Sequence, residues 1–156
     1  MRRRRAPQRV ILPDPVYKSS IVSKFINMVM SDGKKSKAET IVYDAFEIAK
    51  KTLNETDAMK IFNKAIENAR PRLEVKPRRV GGATYQVPIE VRSDRGTSIA
   101  LRWIRDFAQN KKGKPMDQKL ADEIVAAFKG EGSAIKKRDD THKMAEANKA
   151  FAHFRW

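Results

Sequence analysis

The apolar residues of this chain change their period once, and then change back. Over most of its 156 residues they recur every three or four positions, as on one face of a helix. Between about residues 72 and 91 they recur every two. Leu73 and Val75 alternate with charged neighbours, and Tyr85, Val87, Ile89 and Val91 alternate with Thr84, Gln86, Pro88 and Glu90. Gly81-Gly82 between the two runs is a turn signal, so the stretch predicts one β-hairpin. No other segment reads as a strand for it to join. Pro77 and Pro88 lack a ladder donor, which suits an isolated ribbon better than a central sheet. With about eight residues per arm the ribbon would reach roughly 25 Å from the body. A hairpin of that length is marginal in water, so packing at its base and a bound partner are expected to steady it.

The period-3.6 segments predict about six helices. The first starts near Ser19 or Ser20, carries Ile21, Val22, Phe25, Ile26 and Val29 on one face, and is expected to end at Gly33. The second opens on a capping box, Ser36 with Glu39, and has the stripe Ala38, Ile41, Val42, Ala45, Phe46, Ala49 and Leu53. Thr56 or Asp57 caps a third, which must stop at Arg70 because Pro71 follows. Helices resume after Ser93 or Asp94 with Leu101, Ile104, Phe107 and Ala108, and Trp103 beside them. A basic loop (Lys111, Lys112, Lys114) leads to a fifth helix with Leu120, Ala121, Ile124, Val125 and Phe128, closed by Gly130 and Gly132. The last begins near Ser133 and shows Met144, Ala147, Phe151 and Phe154 on one side. Residues 1–18, with an arginine run and Pro7, Pro13 and Pro15, predict an extended basic arm that buries no core. The fold expected is mainly α: one domain over 1–156, a helical bundle with a protruding two-stranded hairpin arm at 72–91 and a basic N-terminal arm.

Charge narrows the function. Thirty-four Lys and Arg face 19 Asp and Glu, a net +15, and such self-repulsion is relieved by a polyanion, most commonly nucleic acid. There are no cysteines and only two histidines, His142 and His153, too few for most metal or acid–base sites. No cofactor or metal is expected. No apolar run approaches a membrane span, and no apolar signal core follows the opening arginines, so a cytoplasmic protein without membrane partners is expected. There is no Gly-x-Ser-x-Gly elbow and no nucleotide-binding glycine loop. Asp139-Asp140 reads as a solvated pair beside Lys137 and Arg138, not a metal site.

The cations cluster where a ribbon would present them. Arg70, Arg72, Lys76, Arg78, Arg79, Arg92 and Arg95 sit on the hairpin or at its base, and Arg2, Arg3, Arg4, Arg5 and Arg9 crowd the N-terminal arm. A solvated strand edge can be protected by charge, but that needs no excess of arginine, the residue suited to bidentate phosphate contact. Tyr85 and Trp103 are either stacking platforms for a base or parts of the core. Composition alone leaves RNA and DNA open. A helical body with a basic β-arm also suits a DNA-bending protein, although such arms usually end in an apolar wedge and this one ends in glycines.

Several motifs choose between them. Asp32-Gly33-Lys34-Lys35-Ser36 followed by Ala38 and Ile41-Val42-Tyr43 resembles the signature of small-subunit ribosomal protein seven. So do Val75-Lys76, Arg78-Arg79-Val80-Gly81-Gly82-Ala83-Thr84-Tyr85-Gln86-Val87-Pro88, Leu101-Arg102-Trp103, and the run from Thr141 through His142, Met144 and His153 to Trp156. The resemblance implies a structural constituent of a bacterial or organellar small ribosomal subunit. Such a protein is a primary binder of ribosomal RNA at the 3′ major domain that nucleates assembly of the subunit head. It implies ribosomal RNA contacts at Arg2, Arg3, Arg4, Arg5, Lys34, Lys35, Lys76, Arg78, Arg79, Arg92, Arg95 and Arg102, to which the basic clusters themselves add Arg9 and Arg72. It places Gly81, Gly82, Lys143, Met144, Asn148 and Phe151 toward the exit-site transfer RNA, with small-subunit proteins nine and eleven as neighbours.

Overall fold

A computed structural model describes residue 6 and residues 9–154. Its elements run α1 (Ser20–Val29), α2 (Lys35–Leu53), α3 (Ala58–Ala69), β1 (Leu73–Val80), β2 (Ala83–Glu90), α4 (Ser93–Asn110), α5 (Met116–Lys129) and α6 (Ser133–Ala147). A short 3₁₀ helix, Lys149–Phe154, follows. The predicted stripes form the core: Val22, Phe25, Ile26, Val42, Phe46, Ile61, Phe62, Leu101, Ile104, Leu120 and Ile124 are all essentially inaccessible. Each such side chain contributes about 1.5–3 kcal/mol on burial. Phe62 has its ring centroid 5.2 Å from Phe25 and 4.9 Å from Phe46, which ties α1, α2 and α3 together. α5 packs against α2, α3 and α4 and is the centre of the bundle.

The helix ends show where local pattern was overruled. Asp57 caps α3 as expected, its carboxylate accepting from the Met59 N–H at 2.8 Å, and Gly130 closes α5 in the left-handed region. α1 does not run to Gly33. It stops at Val29, because Met30 turns to extended backbone while its side chain stays on the core. Gly33 and Asp32, both left-handed, instead shape the loop. The Ser36–Glu39 box does not form either. α2 begins at Lys35 with Lys34 at the cap and no side-chain cap bond, so Ser36 already lies in the first turn. The final helix is not continuous: Asn148 donates from its backbone and its side-chain amide to the Met144 carbonyl, at 3.2 and 2.8 Å. That competition ends α6 at Ala147.

The N-terminal arm is shorter than 18 residues. Asp14 is 2% exposed. Its carboxylate accepts from the N–H groups of Val16 and Tyr17 and, at 2.7 Å, from the Tyr43 hydroxyl. Tyr17 packs edge-on against Phe46 with ring centroids 5.3 Å apart. Residues 14–18 thus belong to the body, because one buried carboxylate finds three donors there. Burial, then the hydrogen bond to Asp14, raises the Tyr43 phenol well above its ordinary range.

Candidate nucleic-acid interface

The hairpin is built as the period-two pattern requires. β1 and β2 pair antiparallel in one two-stranded sheet, from Leu73 opposite Glu90 to Val80 opposite Ala83. Gly81 and Gly82 have φ of +57° and +90°, values that side chains with a Cβ resist and that a tight two-residue turn of this hand demands. Directly opposed residues share a face. Arg78 therefore stands with Tyr85, and Arg79 stands on the other face with Thr84. Arg79 and Lys76 are exposed, and Arg78 is half-buried.

Polar contacts fix the root. Proline-directed extension at Arg70 turns the chain out of α3, and the Arg72 N–H then donates to His142 Nε2 at 2.9 Å. Nε2 is thus the acceptor and the ring is neutral. Burial, then the neighbouring Arg138, pushes its pKa below the ordinary value, with Asp139 opposing and Arg72 adding to the depression. Glu74, its side chain 13% exposed, lies between Arg95 at 2.8 Å and Lys76 at 3.1 Å. Burial alone would raise its carboxyl, but hydrogen bonds from Arg95 and Lys76 outweigh burial and hold it below the usual carboxylate range. Gly96 lets the first turn of α4 pass this root, since a Cβ there would sit 2.8 Å from Arg70 Cγ.

The predicted contact residues divide into groups. Arg72, Lys76, Arg78, Arg79, Arg92 and Arg95 gather on the ribbon and its root. Arg9 is exposed and lines a cleft with Ser20, Lys24 and Asp94, near the start of α4. Arg102 is exposed further along α4. Lys34 and Lys35 occupy the exposed start of α2, with loose ion pairs to Asp32 and Glu39 at 3.5 and 3.7 Å. Arg2, Arg3, Arg4 and Arg5 lie outside the described residues.

At the tip Gly81 and Gly82 are exposed, and on α6, next to His142, Lys143 is exposed and Met144 is 53% exposed. Phe151 is drawn against the ribbon: the Tyr85 ring centroid is 5.1 Å from Phe151 and 5.0 Å from Phe154. Tyr85 is thus engaged within the protein, and Trp103 packs on the bundle core.

Sequence reasoning missed Glu74, His142 and Glu123. Glu123, 1% exposed, sits in the middle of α5 among apolar neighbours. One oxygen accepts from the Ala134 N–H at 3.1 Å, and the other meets Lys111 Nζ at 2.7 Å. It caps α6 from a distance that no local pattern reveals. Among the described residues no cluster of His, Cys, Asp and Glu could hold a metal ion, and no helix is long and apolar enough to cross a membrane. The arrangement offers cations on a thin ribbon and on helix ends, which suits contact with a phosphate backbone.

A family model described as ribosomal protein S7p/S5e matches residues 1–149. The chain is 60% identical over 156 residues to the small ribosomal subunit protein uS7 of Thermotoga neapolitana and to that of Thermotoga maritima, covering 100% of each chain. It is 57% identical over 155 residues to the uS7 of Acidithiobacillus ferrooxidans, covering 99% of each.

Proposed function

Since the chain belongs to the ribosomal protein S7p/S5e family, we propose that its basic ribbon, with Arg9, Lys34, Lys35, Arg102 and the arginines at 2–5, grips small-subunit ribosomal RNA through phosphates. The protein is a structural constituent of the small ribosomal subunit, it binds RNA in translation, and it is not an enzyme. The finer reading is that it binds the 3′ major domain and nucleates the head of the subunit. In that reading Gly81, Gly82, Lys143, Met144, Asn148 and Phe151 face the exit-site transfer RNA, and small-subunit proteins nine and eleven are its neighbours.

One observation carries this reading. The exposed cations stand on a two-stranded ribbon that no further strand joins among the described residues, and of the two acidic residues at its root, Glu74 and Glu90, Glu74 is consumed in fixing two of them. The ribbon therefore presents net positive charge on a slender support, a shape that enters between RNA helices more readily than it rests on a flat surface. Titrating a 3′-major-domain transcript at several salt concentrations tests it. Some six to ten phosphate contacts should lower affinity by about 10³–10⁵ between 50 and 200 mM salt. Competition with duplex DNA at fixed salt is the second arm. Equal competition by the duplex, or affinity that barely responds to salt, overturns the proposal.

A further inference from the structure

We propose that the terminal 3₁₀ helix is the mount of the RNA-binding ribbon, with Tyr85, Phe151 and Phe154 as positioning residues that hold its outer half in one orientation. The structural half of this stands alone, and the RNA half rests on the function proposed above.

A two-stranded ribbon needs a third strand or a packed element to be stable. The bundle touches the ribbon through α6, which packs chiefly on β1, but the hydrophobic core cluster contains no residue of β1 or β2, and Val87 is the strand residue that is fully buried. The polar contacts at Arg72 and Glu74 reach only the root. Further out, the 3₁₀ helix lies along β2. Tyr85 meets both of its phenylalanines at the Arg78–Tyr85 pair, two pairs short of the turn.

The change of helix type serves this contact. Residues three apart eclipse in a 3₁₀ helix but are offset in an α-helix. Phe151 and Phe154 accordingly present rings whose planes lie within 12° of each other, both toward Tyr85. The break at Asn148, which the apolar spacing did not foretell, is what aims the two rings at the ribbon. Beyond this grip only the pairs Arg79–Thr84 and Val80–Ala83 and the glycine turn remain. The exposed Arg79 is therefore carried on a short, supported tip.

The test uses the full chain and three variants, Phe151→Ala, Phe151→Leu and Tyr85→Ala, with hydrogen exchange read in the free protein. Both alanine variants should raise exchange of the outer β1 and β2 amides about tenfold or more, while amides of α2, α3 and α5 keep their protection. Phe151→Ala should also weaken binding of the 3′-major-domain transcript about tenfold, as when the binding orientation is held a tenth of the time. The salt dependence should not change, because no phosphate contact is removed. Phe151→Leu should restore most of both effects.

Unchanged exchange in Phe151→Ala overturns the mount. Weaker binding with unchanged exchange means that Phe151 touches RNA itself, and it overturns the proposal equally. Faster exchange with unchanged affinity shows that ribbon orientation does not serve binding, and removes the positioning role. Failure of the RNA reading is separate: it would show as normal affinity in Arg79→Ala, whatever exchange reports.

Discussion

In the bundle, Phe25 and Phe46 close on Phe62 from three helices, within a cluster of buried apolar side chains. In the hairpin, a histidine accepts one backbone N–H, a glutamate holds two cations, and three rings meet near the tip. The bundle is kept by area and the ribbon by a few discrete contacts. Area fails gradually and everywhere, whereas a discrete contact can be removed without unfolding the rest. A binding arm of the second kind can be tuned by single residues while its support remains intact.

Substitutions should separate the two regions. Phe62→Ala leaves a cavity where three helices meet and should cost about 3–5 kcal/mol, read as a lowered denaturant midpoint. Because the ribbon is rooted on α3, α4 and α6, it should be lost with the bundle. A hairpin that stayed protected in that variant would show the arm to be independent of the body. Arg79→Ala should do the reverse. Stability should change by roughly half a kcal/mol or less, while RNA binding weakens by about 1.5–3 kcal/mol, the range for hydrogen bonds to charged groups. Lysine at 79 should fall between, keeping charge without the planar fork. Arg78→Ala, on the half-buried face, should affect ribbon and affinity together, so equal behaviour of 78 and 79 would argue against the register's two faces. If Arg79 only protects an edge, its alanine variant will bind RNA normally and self-associate instead.

Glu123 belongs to both regions, since it secures the start of the helix on which the ribbon leans. Glu123→Ala leaves the buried Ala134 N–H without an acceptor and should cost about 1–3 kcal/mol, with faster exchange in α6 as well as in the hairpin root. Confinement of the loss to α5 would break that link.

The smallest effect is on pH. His142 is held below its ordinary 6.5 by burial first and by Arg138 next, with Arg72 adding to that and Asp139 opposing. Glu90, Glu146 and Lys149 line the cleft beside it. The unfolded chain takes up this proton first, so the contribution is whole above the ordinary histidine range and drains away as pH falls from about 6.5 through the depressed value. Protonated Nε2 cannot accept from Arg72. His142→Gln keeps an acceptor that does not titrate, and its hairpin-root exchange should lose this acidic dependence. Glu74 acts in a lower window. Its contribution is present above the ordinary carboxylate range and disappears as pH drops through its lowered pKa.

What could be foreseen follows the same division. Periodic apolar spacing reports area, so the bundle, the hairpin limits and the glycine turn were legible, as was the Asp57 cap, whose acceptor and donor are two residues apart. Asp14 with Tyr43, Glu123 with Lys111 and Ala134, and His142 with Arg72 join residues far apart in sequence, and nothing local marks them. Gly33 and the Ser36–Glu39 box misled for the converse reason: each is a good local signal that tertiary packing of Met30 and an early start of α2 overruled. The spacing of Phe151 and Phe154 predicts a continued α-helix, whereas they lie on the 3₁₀ helix beyond Ala147. The local signal against continuation is Asn148, whose side-chain amide donates to the Met144 carbonyl.

The hydrogen bond from Arg72 to His142 spans 70 residues, and that separation has a meaning in time. A chain made from its amino end completes both strands of the hairpin long before the residues that hold them exist. Through that interval the arm carries its full charge but no fixed direction. The bundle, too, is unfinished until α4, α5 and the cap on α6 are in place. Residues 142–154, made last among those described, are therefore the ones that bring the His142 contact to the ribbon's root and the Phe151 and Phe154 rings to Tyr85. Before residue 142 is made, the arm has its charge but neither its histidine acceptor nor its ring contacts.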